Sequence, residues 1–200
     1  MNTPANGSIT ASKRLDLQAI SEIIPKGARV LDLGCGDGAL LSQLVKARQV
    51  IARGVELSEV NVRACIARGL SVRHGDIEEG LADYRDGAFD YVILSQTLAF
   101  LDKPEPVVHE MLRVGAHAII SFENTGCIHR RMSVLFGDSV GNGLCSGEPR
   151  MRPITLNQFH SFVGCVNAQV KQAVYLNQNG PVTRLPALRA DIAVYVLVRE

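Results

Sequence analysis

The residues best placed to do chemistry in this 200-residue chain lie in residues 30–38, V-L-D-L-G-C-G-D-G. Asp32 offers a carboxylate two positions before Gly34, and Gly34, Gly36 and Gly38 remove Cβ atoms where the backbone must bend sharply. A glycine turn at the end of a first strand lets a ligand approach the main chain closely. The spacing therefore predicts a cofactor site at this turn.

Two classes of cofactor compete for the turn. Gly34, Gly36 and Ala39 satisfy the relaxed dinucleotide fingerprint, in which alanine replaces the third glycine. With Asp32 and Gly38 the pattern becomes D-x-G-x-G-x-G, which resembles motif I of the class I S-adenosylmethionine (SAM) methyltransferases. The resemblance implies that the loop approaches the methionyl end of SAM and that Asp32 helps to hold its amino-acid portion. We predict SAM or S-adenosylhomocysteine (SAH) as the cofactor, with a dinucleotide and a turn without a ligand as the alternatives.

A second carboxylate, Glu56, stands at the end of the next predicted strand, followed by Leu57. Open α/β sheets place a carboxylate against the ribose hydroxyls of a bound nucleoside, roughly 20 residues after the glycine turn. A carboxylate can accept two hydrogen bonds from a vicinal diol. We predict that Glu56 binds the ribose and that Leu57 belongs to the same site, and the alternative is a solvated glutamate at a strand end.

The third and fourth predicted strands bring further residues to the same edge. Asp76 and Ile77 follow the third strand and resemble the G-D-φ triplet of class I methyltransferases, in which the aspartate accepts from the adenine amine and the apolar residue packs on the ring. The alternative role of Asp76 is to cap a helix that begins at Glu78. Ser95 ends the fourth strand at the crevice edge and is predicted to line the site.

Strands and helices alternate along the chain as in a doubly wound α/β fold. The predicted strands cover residues 30–33, 50–57, 70–73, 117–122, 170–177 and 190–198, with one more ending at Ser95. Ser58 is predicted to cap the third helix, and Thr155 with Gln158 forms a predicted capping box. We predict a mostly parallel, seven-stranded, Rossmann-like sheet whose final strand is reversed.

Composition excludes several classes of partner. Lys and Arg number 21 against 20 Asp and Glu, giving a net charge of +1, so we expect neither a nucleic acid nor an anionic membrane surface as a partner. The apolar runs are shorter than the roughly 18 residues that span a membrane. Five cysteines, an odd number without a C-x-x-C pair, predict a reducing cytoplasm.

A metal site has only weak support in the sequence. Cys127 and His129 could be combined with Cys145, His160 or Cys165, but these spacings match no compact ligand pair. We therefore predict that the chain has no metal site.

The predicted domain organisation is simple. Residues 1–11 are small and polar and predict a disordered lead, while residues 12–200 predict a single domain. Residues 125–153 predict a variable loop over the crevice, with one helix near residues 129–136. Arginines at positions 130, 131, 150 and 152 would suit an anionic ligand or a partner surface, and a solvated surface loop is the alternative.

A closer resemblance extends over residues 14–124. The phrases A-C-I-A-R-G at 64–69, L-S-Q-T-L at 94–98 and E-M-L-R-V-G at 110–115 resemble the MetW family of methionine biosynthesis. The resemblance implies work with a homoserine O-acyltransferase, without an established methyl acceptor. The chain departs from the family where S-F-E-N-T at 121–125 replaces the usual S-F-P-N-F.

Two functions remain open on this sequence. The first is a SAM-binding, accessory or regulatory protein of methionine biosynthesis that acts with a homoserine O-acyltransferase. The second is a SAM-dependent methyltransferase acting on a small molecule, for which Gln96, Glu123 or His129 would orient the acceptor. Whether the chain is an enzyme is left open.

Overall fold

The computed structural model describes residues 14–136 and 151–200. The helices within these ranges are α1 (Leu15–Ile23), α2 (Ala39–Arg48), α3 (Glu59–Ala67), α4 (Pro104–Val114), α5 (Ile128–Leu135), α6 (Leu156–Cys165) and α7 (Pro186–Arg189). The strands are β1 (Arg29–Leu33), β2 (Ile51–Glu56), β3 (Val72–His74), β4 (Phe89–Ser95), β5 (Gly115–Glu123), β6 (Ala168–Asn177), β7 (Gly180–Pro181) and β8 (Ile192–Arg199). The predicted lead, 1–11, and residues 137–150 of the predicted loop lie outside the described residues.

All strands belong to one sheet with the order β3-β2-β1-β4-β5-β8-β6-β7. Strands β1 to β5 are parallel, whereas β8 is antiparallel to both β5 and β6. The predicted doubly wound sheet with a reversed final strand is confirmed. The additional strand, β7, is a two-residue pairing with the end of β6. The strand order reverses between β1 and β4, and this is where a crevice opens at the carboxyl ends of the strands.

Helices cover both faces of the sheet. Ile20 of α1 and Leu44 of α2 pack in one apolar cluster, and Met111 of α4 and Phe159 of α6 pack in another. Consecutive strand residues alternate between the two clusters because their side chains point to opposite faces. This double cover explains why the central strands are continuous apolar runs.

The two predicted helix caps have different outcomes. Thr155 forms the predicted capping box with Gln158 at the start of α6. Ser58 occupies the N-cap position of α3, but the prediction of a side-chain cap is wrong because its hydroxyl makes no capping hydrogen bond. The Glu56 carboxylate lies at this helix terminus instead and accepts from the Ser58 backbone N–H at 2.8 Å.

Among the residues that the structure describes, no helix is both long enough and apolar enough to cross a membrane. The cytoplasmic location stays a prediction.

Candidate functional site

The glycine turn follows β1 directly and is fixed to the neighbouring strand. The backbone N–H groups of Gly34 and Cys35 both donate to the Val55 carbonyl, at 2.8 and 3.2 Å. A Cβ at Gly34 would lie 2.9 Å from Thr97 Oγ1, so the turn packs tightly there. Gly36 has a φ of 56°, and a Cβ built on it would have no neighbouring atom within 4 Å. The main chain at Gly36 therefore borders open space that a ligand can occupy.

Asp32 lies beneath this turn and is only 2% exposed. Its Oδ1 atom is buried and has no hydrogen-bond partner. Burial raises the pKa of Asp32 to about 8, the positive charge of Arg14 opposes this rise, and the negative charge of Glu56 adds to it. An unpaired buried carboxyl oxygen is costly, so a donating or cationic ligand group would stabilise it.

Glu56 joins the glycine turn to α3. Its carboxylate accepts from the Gly36 backbone N–H at 2.8 Å and from the Ser58 N–H at 2.8 Å. The side chain of Asn61 lies 3.5 Å from the same carboxylate. Glu56 is 8% exposed, so the alternative of a solvated glutamate is wrong. Each carboxylate oxygen has two lone pairs, which leaves acceptor capacity for a ligand hydroxyl.

The predicted adenine residues lie further along the same edge. Asp76 caps the short 3₁₀ turn Ile77–Glu79 by accepting from the Glu78 N–H at 2.8 Å, as its alternative role predicted. Ile77 is buried, whereas Leu57 is exposed at the end of β2. The Gly75 N–H donates to the Glu56 carbonyl at 3.0 Å, which ties this segment to β2.

Ser95 belongs to a polar cluster that the sequence did not predict. Its hydroxyl donates to Asp16 Oδ2 at 3.0 Å, and the Arg14 guanidinium forms two 3.0 Å hydrogen bonds to the Asp16 carboxylate. Ser121 donates to Ser95 Oγ at 3.2 Å. Asp16 is fully buried, and hydrogen bonding to it raises the pKa of Arg14. The start of α1 is thereby fixed at the carboxyl ends of β4 and β5.

A cavity of about 240 Å³ opens next to this cluster. Its lining includes Arg14, Gln96, Phe100, Phe122, Glu123 and Arg152. Gln96 has a φ of 57°, in the left-handed region that non-glycine residues rarely adopt, and its buried Nε2 has no hydrogen-bond partner. Two of the predicted acceptor-orienting residues, Gln96 and Glu123, therefore line one cavity, whereas His129 contacts Cys127 and Asp191 instead.

The eight predicted cofactor residues thus lie along one edge of the sheet, from the end of β3 to the end of β4. Gly36 and Glu56 are in direct contact, and the charges of Arg14 and Glu56 both act on Asp32. Arg14 and Asp16 were not predicted from the sequence as site residues. Their only signal was that residues 14–17 fall at the start of the family resemblance.

Comparison with known proteins identifies the family of this chain. The family "Methionine biosynthesis protein MetW" matches residues 14–197. The bifunctional methionine biosynthesis protein MetXA/MetW of Rhodopirellula baltica is 33% identical over 206 residues, an alignment that covers 93% of this chain and 33% of the relative. The chain therefore spans about a third of the length of that relative.

Solved structures show the same fold. A SAM-dependent methyltransferase from Thermotoga maritima, described as a possible histamine N-methyltransferase, aligns with a TM-score of 0.69 at 19% identity, covering 92% of this chain and 87% of its own. The magnesium protoporphyrin IX methyltransferase of Synechocystis, solved with bound SAH, aligns with a TM-score of 0.69 at 14% identity over 99% and 90% of the two chains.

These two structures show that the chain has the fold of SAM-dependent methyltransferases, one of which was solved with bound SAH. The prediction of the family is confirmed, because its match extends over nearly all of the described residues. The chain belongs to the MetW family of methionine biosynthesis proteins.

Proposed function

We propose that residues 12–200 form a single domain that binds SAM or SAH at the glycine-turn edge and acts in methionine biosynthesis together with a homoserine O-acyltransferase. The main support for this binding site is the buried Oδ1 atom of Asp32, which has no hydrogen-bond partner. It lies beneath a turn whose main chain borders open space at Gly36. The amino-acid portion of SAM presents an ammonium group, which is the partner that this oxygen lacks.

The remaining residues suit the other parts of the cofactor. Glu56 would accept from the ribose hydroxyls, with its carboxylate held in place by the Gly36 and Ser58 amides. Asp76 would accept from the adenine amine, and Ile77 and Leu57 would supply apolar surface for the ring. Gly34 and Gly36 would allow close approach of the methionyl end, and Ser95 would line the same site. When bound, SAM supplies a methyl group on a sulfonium centre.

Partnership with the acyltransferase is supported by the relative from Rhodopirellula baltica, whose name joins MetXA and MetW in one bifunctional chain. In our proposal the MetXA portion of that relative corresponds to the homoserine O-acyltransferase. Because the two functions are fused in one chain there, we propose that the corresponding separate proteins associate here. SAM is a downstream product of methionine synthesis, so a SAM-binding partner is suited to feedback on an early acyltransferase. SAM can change the activity of the acyltransferase only as far as it binds the active and the inactive state of the complex with different affinity.

Two experiments test this function. Calorimetry is expected to show binding of SAM or SAH well ahead of NAD, and tighter binding of NAD would overturn the cofactor assignment. Co-purification with the acyltransferase, followed by an acylation assay with and without this protein and SAM, tests the partnership. Absence of both association and any change in acylation rate would refute it.

A small-molecule methyltransferase is the second candidate, and the cavity beside Ser95 favours it. Gln96 lines this cavity and its buried amide nitrogen has no hydrogen-bond partner. Two arginines, Arg14 and Arg152, and two carboxylates, Asp16 and Glu123, add charged groups of both signs to the lining. Methyl transfer is an in-line displacement that depends mainly on alignment, so it does not require an acid-base pair. SAM-dependent methylation of a small acceptor, without an effect on acylation, would favour this second function.

A further inference from the structure

Three potential metal ligands from two distant segments converge beside the end of β5. Cys127 Sγ lies 3.4 Å from His129 Nδ1, and the same nitrogen lies 3.3 Å from Asp191 Oδ1. All three atoms lie within 4.8 Å of one another. We propose that Cys127, His129 and Asp191 form a binding site for a divalent cation of the zinc class.

Two of the three distances between these atoms fit the edges of a zinc tetrahedron. With Zn–S of about 2.3 Å, Zn–N of about 2.05 Å and Zn–O of about 2.0 Å, tetrahedral angles give about 3.6 Å between sulfur and nitrogen and about 3.3 Å between nitrogen and oxygen. The observed values are 3.4 and 3.3 Å. The third edge, from Sγ to a carboxylate oxygen of Asp191, is no longer than 4.8 Å, against about 3.5 Å in a regular tetrahedron, so a bound cation would draw these two ligands together.

The arrangement differs from a nucleophile relay. In a relay the histidine uses one ring nitrogen for the nucleophile and the other for the acid that orients it. Here Nδ1 alone is within 3.4 Å of both the thiol and the carboxylate. A protonated Nδ1 can donate to only one of the two groups, and an unprotonated Nδ1 can accept from the thiol S–H. A cation between the three atoms would instead be bound by the sulfur, nitrogen and oxygen lone pairs together.

The backbone holds the two segments together independently of the ligand side chains. Asn124 is buried, and its side chain accepts from the Gly126 N–H at 3.0 Å and donates to the Ala190 carbonyl at 2.8 Å. Its own N–H donates to the Asp191 carbonyl at 2.8 Å. The Asp191 N–H donates to the Leu176 carbonyl, also at 2.8 Å. The site is therefore preorganised, which reduces the cost of bringing three ligands around a cation.

One side of the site is open to solvent. Cys127 is 1% exposed, whereas the side chains of His129 and Asp191 are 61% and 29% exposed. Three protein ligands leave the fourth tetrahedral position for water or an exogenous group, as in zinc sites that take part in chemistry. Arg130, which follows His129 in the chain, forms an ion pair with Glu123 at 2.9 Å.

The test uses the full chain, stripped with a chelator and then titrated with Zn²⁺ or Co²⁺. We expect one Zn²⁺ per chain, and a Co²⁺ spectrum with the intense visible bands of tetrahedral geometry and a thiolate-to-cobalt charge-transfer band. Cys127→Ser is expected to abolish the charge-transfer band. His129→Ala and Asp191→Asn are expected to weaken Zn²⁺ binding by at least about tenfold, because even loss of a group that only supports a ligand costs that much.

Matched variants separate this site from adventitious binding. His109→Ala removes another exposed histidine that lies near a carboxylate, and Cys165→Ser removes an exposed thiol. Both are expected to bind Zn²⁺ as the unmodified chain does. Octahedral Co²⁺ without a charge-transfer band, or unchanged Zn²⁺ affinity in His129→Ala, would overturn the proposal. His129 is largely exposed, so its variant is expected to fold, and SAH binding by the same samples reports on the cofactor site separately.

Discussion

The buried carboxyl group of Asp32 should make the stability of the protein without cofactor depend on pH in a way that Asp32→Asn removes. Burial raises the pKa of Asp32 in the folded chain to about 8, whereas its value in the unfolded chain is about 3.9. Between these values the folded chain carries the neutral acid and the unfolded chain the carboxylate. The stabilisation associated with the neutral acid is therefore complete below pH about 4 and is lost as the pH rises through about 8.

The magnitude follows from the one proton by which the two states differ. Stability changes by about 1.36 kcal/mol per pH unit for each such proton, so the free energy of unfolding falls by about 2.7 kcal/mol between pH 5 and pH 7. For a protein of this size about 1 kcal/mol corresponds to 2–4 °C in melting temperature, so the expected fall is about 5–11 °C. Asparagine does not titrate, and its variant should lack this contribution.

The measurement is urea unfolding at pH 5, 6 and 7 without cofactor, compared among the unmodified chain, Asp32→Asn and Asp37→Asn. Asp37 is a matched control because it lies in the same turn but its side chain is 52% exposed. Groups that titrate elsewhere contribute equally to all three proteins and cancel in the difference. Equal pH slopes for the unmodified chain and Asp32→Asn would refute the reasoning. Saturating SAH should reduce the slope of the unmodified chain, because a bound ammonium group favours the carboxylate.

Four further outcomes are expected at the cofactor site and the cavity. Calorimetry should show that Glu56→Ala weakens SAM binding about tenfold to a hundredfold, since two charge-assisted bonds are lost, while Glu59→Ala on the exposed face of α3 leaves it unchanged. Gly36→Val should abolish SAM binding, because its side chain enters the open space and its φ of 56° disfavours a β-branched residue; unchanged affinity would place the cofactor elsewhere. SAM affinity should rise about tenfold per pH unit as the pH increases toward 8, because Asp32 ionises over this range, and Asp32→Asn should lack this rise. Gln96→Gly should raise the melting temperature by relieving the left-handed backbone, which costs about 1 kcal/mol, and a lower melting temperature would show that the side chain stabilises the cavity.

The strands were accessible from the sequence because their signals are local. Each central strand is a short apolar run between turns, and the crossover helices have apolar faces of helical period. Elements of a few residues gave no such signal: β7 consists of Gly180–Pro181 and α7 of Pro186–Arg189. Strand β6 begins at Ala168, before the predicted residue 170, because Ala168 pairs with Arg199 of β8. Strand limits depend on the partner strand, which the local pattern does not contain.

The cofactor edge was accessible for a related reason. In a parallel sheet the residues that end successive strands meet at one edge, so Asp32, Glu56 and Ser95 could be grouped from their positions alone. The positions of these residues in the sequence did not reveal which hydrogen bonds each side chain makes. Glu56 accepts from the backbone amides of Gly36 and Ser58, while the predicted hydroxyl cap at Ser58 does not form.

The clusters that the sequence did not reveal depend on the register of the reversed strand or on contacts far apart in the chain. Asp16 lies 79 residues from Ser95 and 105 from Ser121, and no local pattern links them. The cation site follows from register: Ile192 at the start of β8 pairs with Glu123 at the end of β5. Because the two strands are antiparallel, the residue that precedes β8 must lie beside the residues that follow β5. Asp191 therefore lies beside the segment that carries Cys127 and His129. The predicted reversal of the final strand implies that such segments meet, but only the register shows which residues do.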